Sequence, residues 1–178
     1  MKSDMIKIDS NGTGYDLSAL QAKKVAAYIE LNKRDAMSLQ LLTEEILSMA
    51  NSITGEMNAC FWIETNGHHV DIHLTTETVM SKEKRALLIS SSTNKKNSAA
   101  NSFLSKLRDK FEEAMASDVD VDYNDLPSEI LSDLPSDYTF DPVWDGYERS
   151  ILKLVADNIS ISIRGKQVEM IVSKSFSE

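Results

Sequence analysis

Cysteine is almost absent from this chain: among its 178 residues only Cys60 carries a thiol. One thiol cannot close an intramolecular disulfide, so the fold must be held by its core, and a reducing compartment is expected. Prolines are three, Pro127, Pro135 and Pro142, and all lie in one late stretch, leaving the rest of the chain free for regular elements. There is no apolar run near the ~20 residues that a membrane span requires. Nor does a charged-then-apolar leader follow Met1. These absences predict a cytoplasmic protein that does not enter membranes. Basic residues are also in deficit, 19 against 28 acidic ones, for a net charge of −9. A general nucleic-acid binder needs a basic face to neutralise phosphates, so the charge argues against that class and leaves room only for a local basic patch.

Several catalytic motifs are missing as well. No paired-cysteine zinc motif, nucleophile-elbow serine or phosphate-loop lysine motif occurs. His68 and His69 flank a turn signal, and His73 shares a strand face with His69 and Asp71, but nothing at ligand spacing completes a metal set. Surface imidazoles are the expectation.

What remains is an ordinary soluble composition, 42% hydrophobic and 26% charged, of a length suited to one well-buried domain spanning residues 1–178. The chain is organised around residues 41–55, LLTEEILSMANSITG. Leu42, Ile46, Met49 and Ile53 recur at three- and four-residue steps, as an amphipathic helix laid on a sheet requires, with Glu44, Glu45, Ser48, Asn51 and Ser52 on its flanks.

Around that helix the elements follow in order. Residues 5–8 predict a short strand, ended by the turn cluster 10–14. Asp16 or Ser18 is expected to cap a helix running to about Leu31, with Leu20, Val25, Ala26 and Ile29 inward. Asp35 is expected to cap the organising helix, and Gly55 to end it in the left-handed conformation. Residues 58–64 are apolar almost throughout, which predicts a central strand with Cys60 and Trp62 in the core. Asn66-Gly67 marks a tight hairpin turn, and Val70, Ile72 and Leu74 alternate with Asp71 and His73 in the returning strand.

Ser81 is expected to cap a helix with Ala86, Leu87 and Ile89 inward, interrupted by the polar run SSSTNKKN at 90–97. Residues 99–116 predict an amphipathic helix, and residues 117–142 an acidic excursion that carries all three prolines. Asp118, Asp120 and Asp122 in it lack the glycine and final glutamate of a helix-loop-helix calcium site. Trp144 is expected to anchor the excursion onto the sheet. A last helix over 147–156, a strand over 159–163, a turn at 164–166 and a strand over 168–172 close the chain. The fold class predicted is α+β: a two-layer sandwich with helices on one face of a largely antiparallel sheet.

This order of elements resembles the GHKL ATPase fold of gyrases, heat-shock chaperones and sensor histidine kinases, in the small form of the anti-sigma-factor serine kinases. LLTEEILSMA resembles the helix that carries the family's asparagine motif, and VDIHLTTETVMSKEK the strand leading to its aspartate-glycine motif. ILKLVADNISISIRGKQVEMIVSKSF resembles the last helix and closing hairpin of the anti-sigma kinases. More narrowly, TEEIL, ITGE, FWIE and IRGKQVEM are similar to a group of small Firmicute ATP-binding-like proteins.

The resemblance implies an ATP and magnesium site, with departures at each motif. Where the family places a magnesium-binding asparagine four residues after a glutamate, this chain has Met49 after Glu45, or Ser48 after Glu44. A thioether is too soft a ligand for magnesium. Thr76 and Thr78 fall near the aspartate-glycine positions, and only Gly146 remains of the later glycine-rich segment. The implied function is a degenerate ATP-binding-like scaffold that acts as a regulatory, protein-interaction module. It would bind a protein partner or form a homodimer, and the insertion at about 90–142 would stand where the family's nucleotide lid lies. The alternative is an active divergent serine kinase or ATPase. In that reading Glu44 or Glu45 polarises a water or hydroxyl, with Glu45 the catalytic candidate, Ser48 and Thr76 donate hydrogen bonds, and Lys95 or Lys96 contacts phosphates.

Overall fold

Parity along the strands decides which residues become core. In the computed structural model, which describes residues 1–54, 58–100 and 151–177, the order is β1 (Ile6–Asp9), α1 (Tyr15–Tyr28), α2 (Lys33–Thr54), β2 (Asn58–Asn66), β3 (His69–Glu77), α3 (Lys82–Ser91), β4 (Asn158–Arg164) and β5 (Gln167–Ser175). Residues 151–155 are also helical. The strands form one sheet in the order β1-β2-β3-β5-β4, antiparallel at every pairing. Phe61, Ile63, Ile72, Leu74, Ile161 and Met170 point to one face and are fully buried with the helices. Each such side chain contributes roughly 1.5–3 kcal/mol by leaving water. The expected α+β sandwich is therefore the observed architecture.

α2 holds the helical layer together. Leu42, Ile46, Met49 and Ile53 are buried as their spacing predicts, and Leu39, Leu47 and Ala50 form a second buried stripe beside them. Two stripes let one helix serve both the sheet and α1, against which it packs. Its start lies earlier than expected, because Asn32 and not Asp35 is the cap. The Asp35 amide donates to Asn32 Oδ1 at 3.0 Å, and Asn32 Nδ2 donates back to Asp35 Oδ2 at 2.7 Å. Asp35 instead lies in the first turn, where a carboxylate favours the helix dipole.

α1 is entered through Gly14, whose φ is +87°. Neither Asp16 nor Ser18 caps it; the Ser18 hydroxyl is buried and donates to the Gly14 carbonyl at 2.9 Å. Leu20, expected inward, is exposed. Ser81 caps α3 as expected, accepting from the Lys84 amide at 3.1 Å. The inward residues there are Leu88 and Arg85; Ala86 faces solvent, with Leu87 and Ile89 at the margin.

Both hairpins close on two residues with glycine first. Asn66 pairs with His69, so Asn66 belongs to the strand and Gly67, at φ +60°, is the first turn residue. Arg164 pairs with Gln167, and Gly165 takes the same angle. The four hairpin strands run two to four residues longer than expected.

The polar run after α3 lies along the outer edge of β4. The Thr93 amide donates to the Ile159 carbonyl and the Ser98 amide to that of Ile161. The Thr93 hydroxyl accepts from the Ile159 amide, and the Asn97 carboxamide bonds both backbone groups of Ile163. An edge that would otherwise offer a row of unpaired groups is thereby closed. Ala99 and Ala100 lie at a turn. The rest of the helix expected over 99–116, the acidic excursion, Trp144, Gly146 and Gly55 lie outside the described residues. Among the described residues, no helix is long and apolar enough to cross a membrane.

Candidate functional site

The candidate residues lie on or next to α2 and β3, two elements in contact. α2 runs toward Asn58, the first residue of β2, whose carbonyl accepts the Thr76 hydroxyl at 3.3 Å. On α2, Glu44 is exposed, Glu45 and Ser48 are half-buried, and Met49 is sealed into the core. Thr76 is buried on the helix-facing side of β3. Thr78, also buried, donates its amide to the Lys166 carbonyl at 2.9 Å, and its hydroxyl lies 3.5 Å from Lys84 Nζ at the start of α3. Five of the sequence-predicted residues thus belong to α2 and β3, and Thr78 follows directly on β3. Lys95 and Lys96 do not join them: both are exposed on the strap outside β4, and β5 lies between that strand and β3.

One residue on this flank had been placed only by its spacing. Asn51 is half-buried, and its carboxamide oxygen is shut away from solvent with no hydrogen-bond partner among the described residues. An oxygen left that way costs roughly 1–3 kcal/mol, so it is poised to accept a donor or a hard cation. Its position three residues after Ser48 and seven after Glu44 puts all three on one helical face. That spacing was the available signal.

The opposite face of the sheet carries no helix among the described residues, and two apolar residues expected in the core are there. Cys60 and Trp62 alternate with Ala59, Phe61 and Ile63 and so point away from the helices. Trp62 is covered instead by its neighbours: the His73 ring stacks on it at 4.7 Å and 9°, and Lys2 Nζ stands 4.7 Å over its ring. Trp62 Nε1 donates to Glu64 at 2.9 Å, and Lys2 pairs with the same carboxylate at 3.0 Å. Lys2, with help from Trp62, holds the Glu64 carboxyl below its ordinary range.

No protein-family model matches the chain, and no curated protein matches it.

The chemistry of this end of the fold follows from its own donors. Glu45, Ser48 and Asn51 offer a carboxylate, a hydroxyl and a carboxamide along α2, while the Met49 sulfur is soft and buried. Four residues after Glu45 stands a thioether, too soft for magnesium, and four after Glu44 stands the Ser48 hydroxyl. His69 pairs with Asp71 at 3.3 Å and contacts Ser175 Oγ at 2.9 Å, an arrangement that ties two strands. Among the described residues no cluster of histidine, cysteine and carboxylate could hold a metal ion.

Proposed function

We propose that this chain is a degenerate GHKL-type, ATP-binding-like scaffold that acts as a regulatory, protein-interaction module. The observation that carries the reading is the apolar surface on the outside of the helical layer. Leu17, Leu20 and Tyr28 on α1 and Met37 and Leu41 on α2 are all exposed, Met37 by 61% and Tyr28 by 67%. Met37 and Leu41 line an open groove of about 690 Å³, with Lys33 and Arg34 at one end and Glu44 at the other. The apolar pair Met37 and Leu41, one helical turn apart with a charged rim, suits a protein partner, with a second copy of the chain as one candidate. The buried Met49 supports the degenerate half of the reading, because it removes the metal-binding side chain of the motif that α2 resembles.

Capture from cell extract with wild type beside a Met37→Glu, Leu41→Glu double variant tests the interaction. A partner held by the wild type and lost by the variant supports the module; equal capture by both sinks it.

The second reading, a divergent ATP-binding protein, is favoured by the Asn51 oxygen. Calorimetric titration with ATP and ADP, with and without magnesium, tests it on nucleotide-free protein. Magnesium-dependent binding lost in Asn51→Ala and Glu45→Ala would establish a shifted site and call for a phosphotransfer assay.

A further inference from the structure

The sheet face turned away from the helices is a trough. Its residues fall into cross-strand rows set by the register: Trp62, His73 and Ile171 in one, Cys60, Thr75, Glu169 and Ser162 in the next, and Glu77, Gln167 and Arg164 in the third. Apart from Glu169 the middle row is short, and its two neighbours are tall. The hollow lined by the middle and third rows, with Asn58 beside them, measures about 510 Å³, within the roughly 300–1,000 Å³ of small-molecule sites.

The charges in this hollow are left open. It holds two carboxylates, Glu77 and Glu169, and one guanidinium, Arg164. Glu169 is a diagonal neighbour of both others, a relation of roughly 7–8 Å that long side chains can span. They do not close it. Glu77 receives only a long 3.4 Å contact from Gln167, and Glu169 stands 4.0 Å from His73 Nδ1. The Arg164 side chain makes no hydrogen bond or ion pair among the described residues. Behind Glu169, both ring nitrogens of His73 are buried and without a hydrogen bond among the described residues, so no donor there fixes that carboxylate fully.

We propose that this trough binds a free dibasic amino acid, lysine or arginine. Two carboxylates and one guanidinium complement two cations and one carboxylate. Arg164 takes the ligand carboxylate as a bidentate fork, Glu169 the α-ammonium, and Glu77 the side-chain cation, while Ser162, Thr75 and Gln167 supply neutral hydrogen bonds. The charged groups of the site lie across the sheet from α2 and take a cationic ligand, so lysine binding and nucleotide binding are read separately, although Thr76 borders the hollow.

The test is calorimetric titration of the full chain at low salt with L-lysine and L-arginine, beside L-glutamate and cadaverine, which lacks the carboxylate. Saturable lysine binding with a Kd of about 1 mM is expected. Glu169→Gln should weaken it about fivefold. Arg164→Gln should weaken lysine equally and leave cadaverine unchanged, with the melting temperature of both variants as wild type. The site is overturned if neither dibasic amino acid saturates, if L-glutamate binds as well as L-lysine, or if both variants bind lysine as the wild type does.

Discussion

Asn97 and Ile163 face each other as two strand residues would: the Ile163 amide donates to Asn97 Oδ1 at 2.8 Å, and Asn97 Nδ2 donates to the Ile163 carbonyl at 2.9 Å. One side chain thus does for the β4 edge what a partner strand would do with its backbone. Both bonds are buried, and Asn97 is 6% exposed. Asn97→Ala leaves a buried donor and a buried acceptor without partners and should destabilise by about 2–3 kcal/mol. Urea denaturation at equilibrium measures it. A loss within error of zero would show that water replaces the side chain freely.

Gly14 and Gly12 separate two costs that a glycine can hide. Both have positive φ, +87° and +89°, but a Cβ at Gly14 would clash with the Lys7 carbonyl oxygen, whereas one at Gly12 would meet nothing. Gly12→Ala should cost about 1 kcal/mol from backbone strain alone. Gly14→Ala adds a clash with backbone and should cost about 2–4 kcal/mol. Thermal melts of the two variants side by side give the difference. Equal losses would mean that the entry to α1 yields more easily than its geometry implies.

Asp157 should govern part of the acid limb of stability. Burial pushes its carboxyl up, but the Lys174 ammonium at 2.7 Å and the Ser175 amide at 2.7 Å outweigh it and hold the group below its ordinary 3.8. A carboxyl depressed in the folded state stabilises above the unfolded value, and that contribution is lost as pH falls through the folded value. Asp157→Asn should therefore melt below wild type at about pH 7 and converge with it at about pH 2. The side chain is 45% exposed, so the gap should stay under about 1 kcal/mol. A gap that persisted in acid would assign the effect to packing instead of charge.

Met37 and Leu41 should be dispensable for folding. Both are exposed on α2, so Met37→Glu and Leu41→Glu are expected to shift stability by less than about 0.5 kcal/mol while removing partner capture. Chemical denaturation beside the capture assay separates the two roles. A loss well beyond that figure would place these side chains in the folded core's service.

The helical layer was legible from residue spacing because a helix writes its buried face at a fixed period. The stripe of Leu42, Ile46, Met49 and Ile53 needed no partner to be recognised. β3 was legible for the same reason, Val70, Ile72 and Leu74 alternating against Asp71 and His73. β2 was not, since a run of Ala59, Cys60, Phe61, Trp62 and Ile63 has no polar residue to mark the outward parity. Only pairing with β3, which sets Phe61 opposite Leu74 and Trp62 opposite His73, turns Trp62 and Cys60 outward. The one-residue displacement of the hairpin turn has the same origin, because strand pairing and not the Asn66-Gly67 dipeptide decides which residues close it.

The candidate site divides along the same line. The flank that carries Glu44, Glu45, Ser48 and Asn51 is a local property of one helix, and it could be read directly. That Asn51 has an orphaned oxygen depends on what surrounds it, which no spacing encodes. The polar run at 93–98 looked like a loop because its partners lie more than sixty residues later, at β4. The trough is further from view, since Cys60, Glu77, Arg164 and Glu169 are neighbours only through the register of four strands. By itself the sequence determined the element types, their order and the buried faces of α2 and β3, because these follow from short-range periodicity. Tertiary structure alone decided the sheet order, the outward parity of β2 and the open charges on the far face, because each arises where strands distant in sequence come into register.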